Sequence, residues 1–108
     1  MDEFIQNLKI AGGEIVDTIP EECFVVEGKF GVAENGAVWI EEYNKELFLS
    51  EKVAIRLNKN EIYKTMNDVM DKISKPGVFI SGPSKTADVE SFLVFGAHGP
   101  MELYIKLI

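Results

Sequence analysis

Two short β-branched runs on either side of an amphipathic stretch constrain this chain most. Val53-Ala54-Ile55-Arg56-Leu57 and Val78-Phe79-Ile80 both have the composition of buried strands. Between them Ile62, Met66, Val69, Met70 and Ile73 recur at helical spacing, while Lys64, Asp68, Asp71 and Lys72 fall largely on the opposite side. Asn58 with Glu61 three residues later makes a capping-box-like start, and Lys75-Pro76-Gly77 makes a stop. The pattern predicts a helix between two strands, hence a βαβ unit with a parallel pair in an α/β domain. The methionines of that stretch are expected to pack in the core rather than to form a binding surface.

The rest of the chain supplies more of the same layers. Phe4, Ile5, Leu8 and Ala11 follow Asp2 at helical spacing and Gly12-Gly13 ends the run, which predicts a helix over 2–12. Short strands are expected over 14–19, closed by Pro20, over 23–26, and over 103–108. Asn35-Gly36 lies between the apolar runs 31–33 and 37–40. Its tolerance of positive φ suits a type I′ hairpin turn or a sharp corner between strands.

A chain of 108 residues suffices for one domain with one core. No apolar run approaches the ~20 residues that span a bilayer, so no membrane role is expected. The start, Met1-Asp2-Glu3-Phe4, is acidic where a secretory signal is basic, and a cytoplasmic location is the expectation. Cys23 is the sole cysteine, so no internal disulfide and no metal-ligand spacing arise, and it is expected to be a buried small hydrophobe. The formal net charge of −7 argues against nucleic acid, which demands clustered Lys and Arg. Residues 1–50 hold 11 acids and 3 bases, whereas 51–108 hold 7 acids and 8 bases, which places any anionic ligand in the second half.

The chemistry-bearing residues concentrate there. Ser81-Gly82-Pro83-Ser84-Lys85-Thr86-Ala87-Asp88-Val89-Glu90 follows a predicted strand, at the end of a sheet where α/β folds bind ligands. Glycine, hydroxyls and a lysine at such a turn offer backbone donors and positive charge to an anion. It is not a Walker A loop: Gly77 and Gly82 have the right separation, but Pro83 stands where Lys is required and Lys85-Thr86 comes two residues late. The plainer reading is that Ser84 or Thr86 caps a short helix with Asp88 and Glu90 in its first turn. Those acids would compete with an anion, so a carboxylate acting as base is as open as a phosphate cradle. His98, the one histidine, lies in Phe95-Gly96-Ala97-His98-Gly99-Pro100 and is either a general acid/base or a hydrogen-bonded turn residue. Glu34 beside Asn35-Gly36 is either part of the same site or a solvated turn acid.

Three of these segments together resemble the LUD (lactate-utilisation) family. Gly31-Val32-Ala33-Glu34-Asn35-Gly36 is similar to the family's Ala-Glu-Thr-Gly corner, with Asn35 in place of the usual Thr. The 81–90 run resembles its Gly-Pro-Ser-Lys/Arg-Thr-Ala-Asp-Ile-Glu signature, and Gly96-Ala97-His98-Gly99-Pro100 follows in the right order. With the Thr65-Met66-Asn67-Asp68 region, the resemblance covers roughly 28–108 of a single domain. It implies a Rossmann-like layered α/β fold of the ribose-phosphate isomerase and CoA-transferase class, truncated here, because the family carries more elements between the first helix and the corner. It also implies a cytoplasmic role in oxidation of lactate to pyruvate beside iron–sulfur partner subunits. Carried over by position, Glu34, Asp88 and His98 become catalytic candidates. Gly82, Pro83, Ser84, Lys85, Thr86, Glu90 and Asn35 become ligand-binding ones, with no metal and no cofactor specified. Two functions stay open: a site for a small anionic metabolite, and a non-catalytic assembly subunit. A shortened sheet leaves an edge strand to be covered, so a homodimer or larger assembly is expected.

Overall fold

The computed structural model describes residues 2–41, 50–81 and 102–108. The chain begins with helix α1 (Asp2–Ile10) and continues through strands β1 (Glu14–Ile15), β2 (Phe24–Glu27), β3 (Phe30–Val32) and β4 (Ala37–Ile40). Strands β5 (Lys52–Leu57), β6 (Ile62–Tyr63), β7 (Val78–Ile80) and β8 (Glu102–Leu107) complete the described elements. They form two sheets. One has the order β1-β8-β5-β2 with every pairing parallel. The other has the order β6-β3-β4-β7, in which β6 is parallel to β3 and the two remaining pairings are antiparallel. The fold is α/β, in Rossmann-like layers.

The alternation of side chains explains why the sheets stack. Along β4, Val38 and Ile40 face one cluster while Ala37 and Trp39 face another, and on β7 Val78 and Ile80 divide from Phe79 in the same way. The mixed sheet is therefore buried on both faces. One side meets Val53, Ile55 and Leu57 of β5, Leu103 and Ile105 of β8, and Phe4 and Leu8 of α1. Phe4 and Leu8 have no exposed surface, and burying each contributes about 1.5–3 kcal/mol. Gly31 leaves room for that helix: a Cβ there would lie 3.0 Å from a ring carbon of Phe4 and 3.1 Å from Leu57. On the other side Phe30, Trp39, Phe79 and Tyr63 make an aromatic layer, with Phe30 edge-on to Tyr63 and Phe79.

α1 ends two residues before the predicted limit. Gly12 at φ 101° closes it, with Gly12 N–H donating to Lys9 C=O and Gly13 N–H to Leu8 C=O, the paired bonds of a Schellman stop. The strand expected over 14–19 narrows to two residues. The last strand, expected over 103–108, runs over Glu102–Leu107.

Three expectations are corrected. The stretch 58–73 is not an α-helix: it holds 3-10 turns at Lys59–Glu61, Met66–Asp68 and Met70–Lys72, with β6 between the first two. Ile62 and Tyr63 pair with Gly31 and Val32, and Thr65 is extended at φ −128°, so strand pairing overrides the helical spacing. Val69 is still buried, but Met70 is 57% exposed and does not pack in the core. Second, residues 53–57 and 78–80 are not a parallel pair. They lie in different sheets, β5 between β8 and β2, and β7 antiparallel to β4. Third, the turn at Asn35-Gly36 is not type I′, since among the described residues Glu22 is the one non-glycine at positive φ. Cys23 is half-buried, which pushes its thiol pKa upward, partly offset by Lys52.

Candidate functional site

The hairpin between β3 and β4 closes with Val32 opposite Ala37, which leaves 33–36 as a four-residue corner. Gly36 N–H donates to Ala33 C=O at 3.2 Å, and Gly36 takes φ +61°. Glycine is required on a second ground, because a Cβ would sit 2.5 Å from the backbone nitrogen of Leu8. The corner is thus pressed onto the last turn of α1. From that helix Asn7 Nδ2 donates to Ala33 C=O at 2.8 Å and to Glu34 C=O at 3.2 Å.

Two more attachments hold the other side. Ala33 N–H and Glu34 N–H donate to the carbonyls of Tyr63 and Lys64 at 2.7 and 3.0 Å, extending the β3–β6 pairing by two residues. The Glu34 side chain then reaches the 3-10 turn that follows: its Oε2 accepts the Met66 N–H at 2.7 Å. At the start of a 3-10 turn the Met66 N–H has no acceptor within the turn itself, and a carboxylate is its natural partner. Next to it, Thr65 Oγ1 accepts from Asp68 N–H and Asp68 Oδ2 accepts from Thr65 N–H, a reciprocal capping box.

The end of β7 meets the same corner. Ser81 Oγ donates to Asn35 C=O at 2.9 Å across 46 positions of sequence. Two of the three segments singled out in the sequence therefore come together at their edges. Glu34 and Asn35 are exposed at this place, and Ser81 is half-buried. Gly82, Pro83, Ser84, Lys85, Thr86, Asp88, Glu90 and His98 lie outside the described residues. The described part can present one carboxylate, already oriented by a backbone donor, and a serine whose hydroxyl is bonded to the corner.

Asn7 and the Thr65/Asp68 pair were not singled out as site residues. The Thr65-x-x-Asp68 spacing is itself a capping signal, whereas nothing in the local sequence marks Asn7, whose partners lie 26 and 27 residues away. On β8, away from the corner residues in sequence, Tyr104 donates to a Glu102 carboxylate oxygen. That bond, with smaller contributions from desolvation and nearby Glu102 and Glu14 charge, pushes its pKa up to about 12. No cluster of three or more His, Cys, Asp or Glu suited to a metal occurs among the described residues. No described helix is long and apolar enough to cross a membrane.

The sequence matches the LUD domain family over residues 21–108. A stretch of 29 residues is 62% identical to an uncharacterized protein of Neisseria meningitidis serogroup B, covering 27% of this chain and 12% of that protein. The chain thus spans a small part of the length of that relative. The fold is similar to the crystal structure of a DUF162 family protein from Deinococcus radiodurans. The TM-score is 0.60 with 12% identity, over 90% of this chain and 74% of that one.

Proposed function

The chain belongs to the LUD domain family, which is tied to lactate utilisation, and on that premise we propose that it binds a small anionic metabolite of lactate oxidation beside the 33–36 corner. The observation that supports this reading is the bond from Ser81 to Asn35, because the chain enters the run 82–90 directly from that point. In this reading Lys85 provides the charge that holds a carboxylate or phosphate. Gly82, Pro83, Ser84, Thr86 and Glu90 shape the turn around it, with Asn35 at its rim. Glu34, Asp88 and His98 are the groups that accept or deliver a proton.

A ligand that binds only the folded state raises the unfolding midpoint, by about 2.7 kcal/mol of stability at a hundredfold excess over Kd. Thermal unfolding with L-lactate, pyruvate, inorganic phosphate, sugar phosphates, nucleotides and CoA compounds is therefore the test. A shift with one class, lost in Lys85→Ala and reduced in His98→Ala, is the expected result. No shift across the whole set would sink the reading.

One observation favours a second reading. The Glu34 carboxylate already caps the Met66 turn, so a residue of the corner motif has a use without any ligand. In that case the motifs build tight corners in a non-catalytic cytoplasmic assembly subunit, whose partners are a second copy of the chain or iron–sulfur subunits.

A further inference from the structure

Helix α1 lies outside residues 21–108, the part of the chain that matches the family, yet it supplies a direct side-chain hold on the corner. Phe4 and Leu8 are fully buried and fix the helix on the core, and Asn7 stands next to Leu8 facing the corner. An asparagine amide nitrogen carries two N–H groups. Both are spent on backbone carbonyls of the corner, on Ala33 at 2.8 Å and Glu34 at 3.2 Å. Since both partners are pure acceptors, the orientation of the amide is fixed by chemistry. From the same residue, Glu34, the side chain extends to Met66 N–H at 2.7 Å.

We infer that Asn7 is a positioning residue for Glu34: its amide pins the backbone on which the carboxylate is carried, so that the carboxylate stays on the Met66 N–H at the rim of the site. The inference rests on the binding role proposed above for that corner. A glutamate on an unpinned, exposed turn would sample several rotamers and meet a ligand at an entropic cost. Here one backbone residue is held by Asn7 on its carbonyl, by Lys64 C=O on its N–H and by Gly36 packing against Leu8 nearby.

Hydrogen exchange at the Met66 amide reads the Glu34 contact, and titration with L-lactate in the same NMR spectra of the full chain reads the site. Asn7→Leu, of nearly equal size but without donor or charge, is expected to speed Met66 exchange at least tenfold and weaken L-lactate binding at least fivefold. Asn7→Gln keeps the amide and is expected to recover part of both losses. The amides of Ala54 and Ile55 in the parallel sheet should exchange as in the wild type throughout. General loosening of the fold would move those sheet amides as well and would not separate Leu from Gln. Unchanged Met66 exchange in Asn7→Leu, or equal effects of Leu and Gln, overturns the inference. If wild-type protein fails to bind L-lactate, that ligand is wrong, while Met66 exchange still decides the role of Asn7.

Discussion

Tyr104 shows how one side chain converts a hydrogen bond into a pH dependence. Its phenol donates to Glu102, an interaction available only while the proton is present. The folded-state pKa stands at about 12 against an ordinary 10.0, so the folded protein holds this proton more tightly than the unfolded chain. The stabilisation is therefore complete below about pH 10 and is lost as pH rises through about 12. Absorbance titration of tyrosinate should show a late-ionising phenol that Tyr104→Phe removes, together with the loss of that part of the alkaline decline in stability. A Tyr104→Phe titration that superimposes on the wild type would refute the assignment. The chain holds three tyrosines, and the Tyr63 hydroxyl likewise donates to a glutamate two residues earlier, Glu61, at 2.8 Å, while its ring packs against the aromatic layer.

At the level of elements, the corner joins α1 to the mixed sheet, and Gly36 is its tightest point. A side chain there meets both an unfavourable positive φ and the Leu8 backbone at 2.5 Å. Gly36→Ala is expected to cost at least about 1–2 kcal/mol, measured by urea unfolding. Thr65→Ala, which removes an exposed cap, should cost about 1 kcal/mol. An order reversed between the two would mean that the helix does not press on the corner. The same region shows what the sequence makes legible. Val78, Phe79 and Ile80 form a strand over the predicted residues, and the strand read at 53–57 begins one residue earlier, at Lys52, because continuous apolar runs are buried on both faces. The spacing of Ile62, Met66, Val69 and Ile73 does mark an inward side, with Val69 buried and the others half-buried, but it does not mark an α-helix. A chain laid over a sheet in 3-10 turns repeats its inward side at similar intervals, and β6 is fixed by a partner 31 residues earlier that no local pattern contains. Of the site, Asn35-Gly36 announced the corner. The bonds from Asn7 and Ser81 that hold it depend on long-range placement, which periodicity does not encode.

At the scale of the whole molecule, the outer face of the parallel sheet and its terminal strand β2 present different surfaces among the described residues. On the outer face of the parallel sheet, Arg56 pairs with Glu27 at 2.9 Å, and Lys106 Nζ donates to the backbone carbonyl of Asp17, so the cations there have partners within the chain. Such a face resists sticking to copies of itself. Strand β2, at the end of the sheet order, is different: among the described residues it leaves an edge, and Val25 on it is 43% exposed. The homodimer proposed here would pair two β2 strands antiparallel, with Val25 near its counterpart. The formal net charge of −7 on each copy opposes that contact. Added salt screens the repulsion, with a Debye length of about 8 Å at 0.15 M and about 3 Å at 1 M. Pairing through backbone bonds and an apolar side chain is screened far less. Light scattering at micromolar concentration should therefore find a dimer whose population rises with salt and falls in Val25→Lys, since a lysine on each edge replaces apolar contact with like charge. A dimer that salt dissolves would place the contact on ion pairs instead of β2, and a wild-type monomer under all these conditions would leave the edge strand without the partner proposed for it.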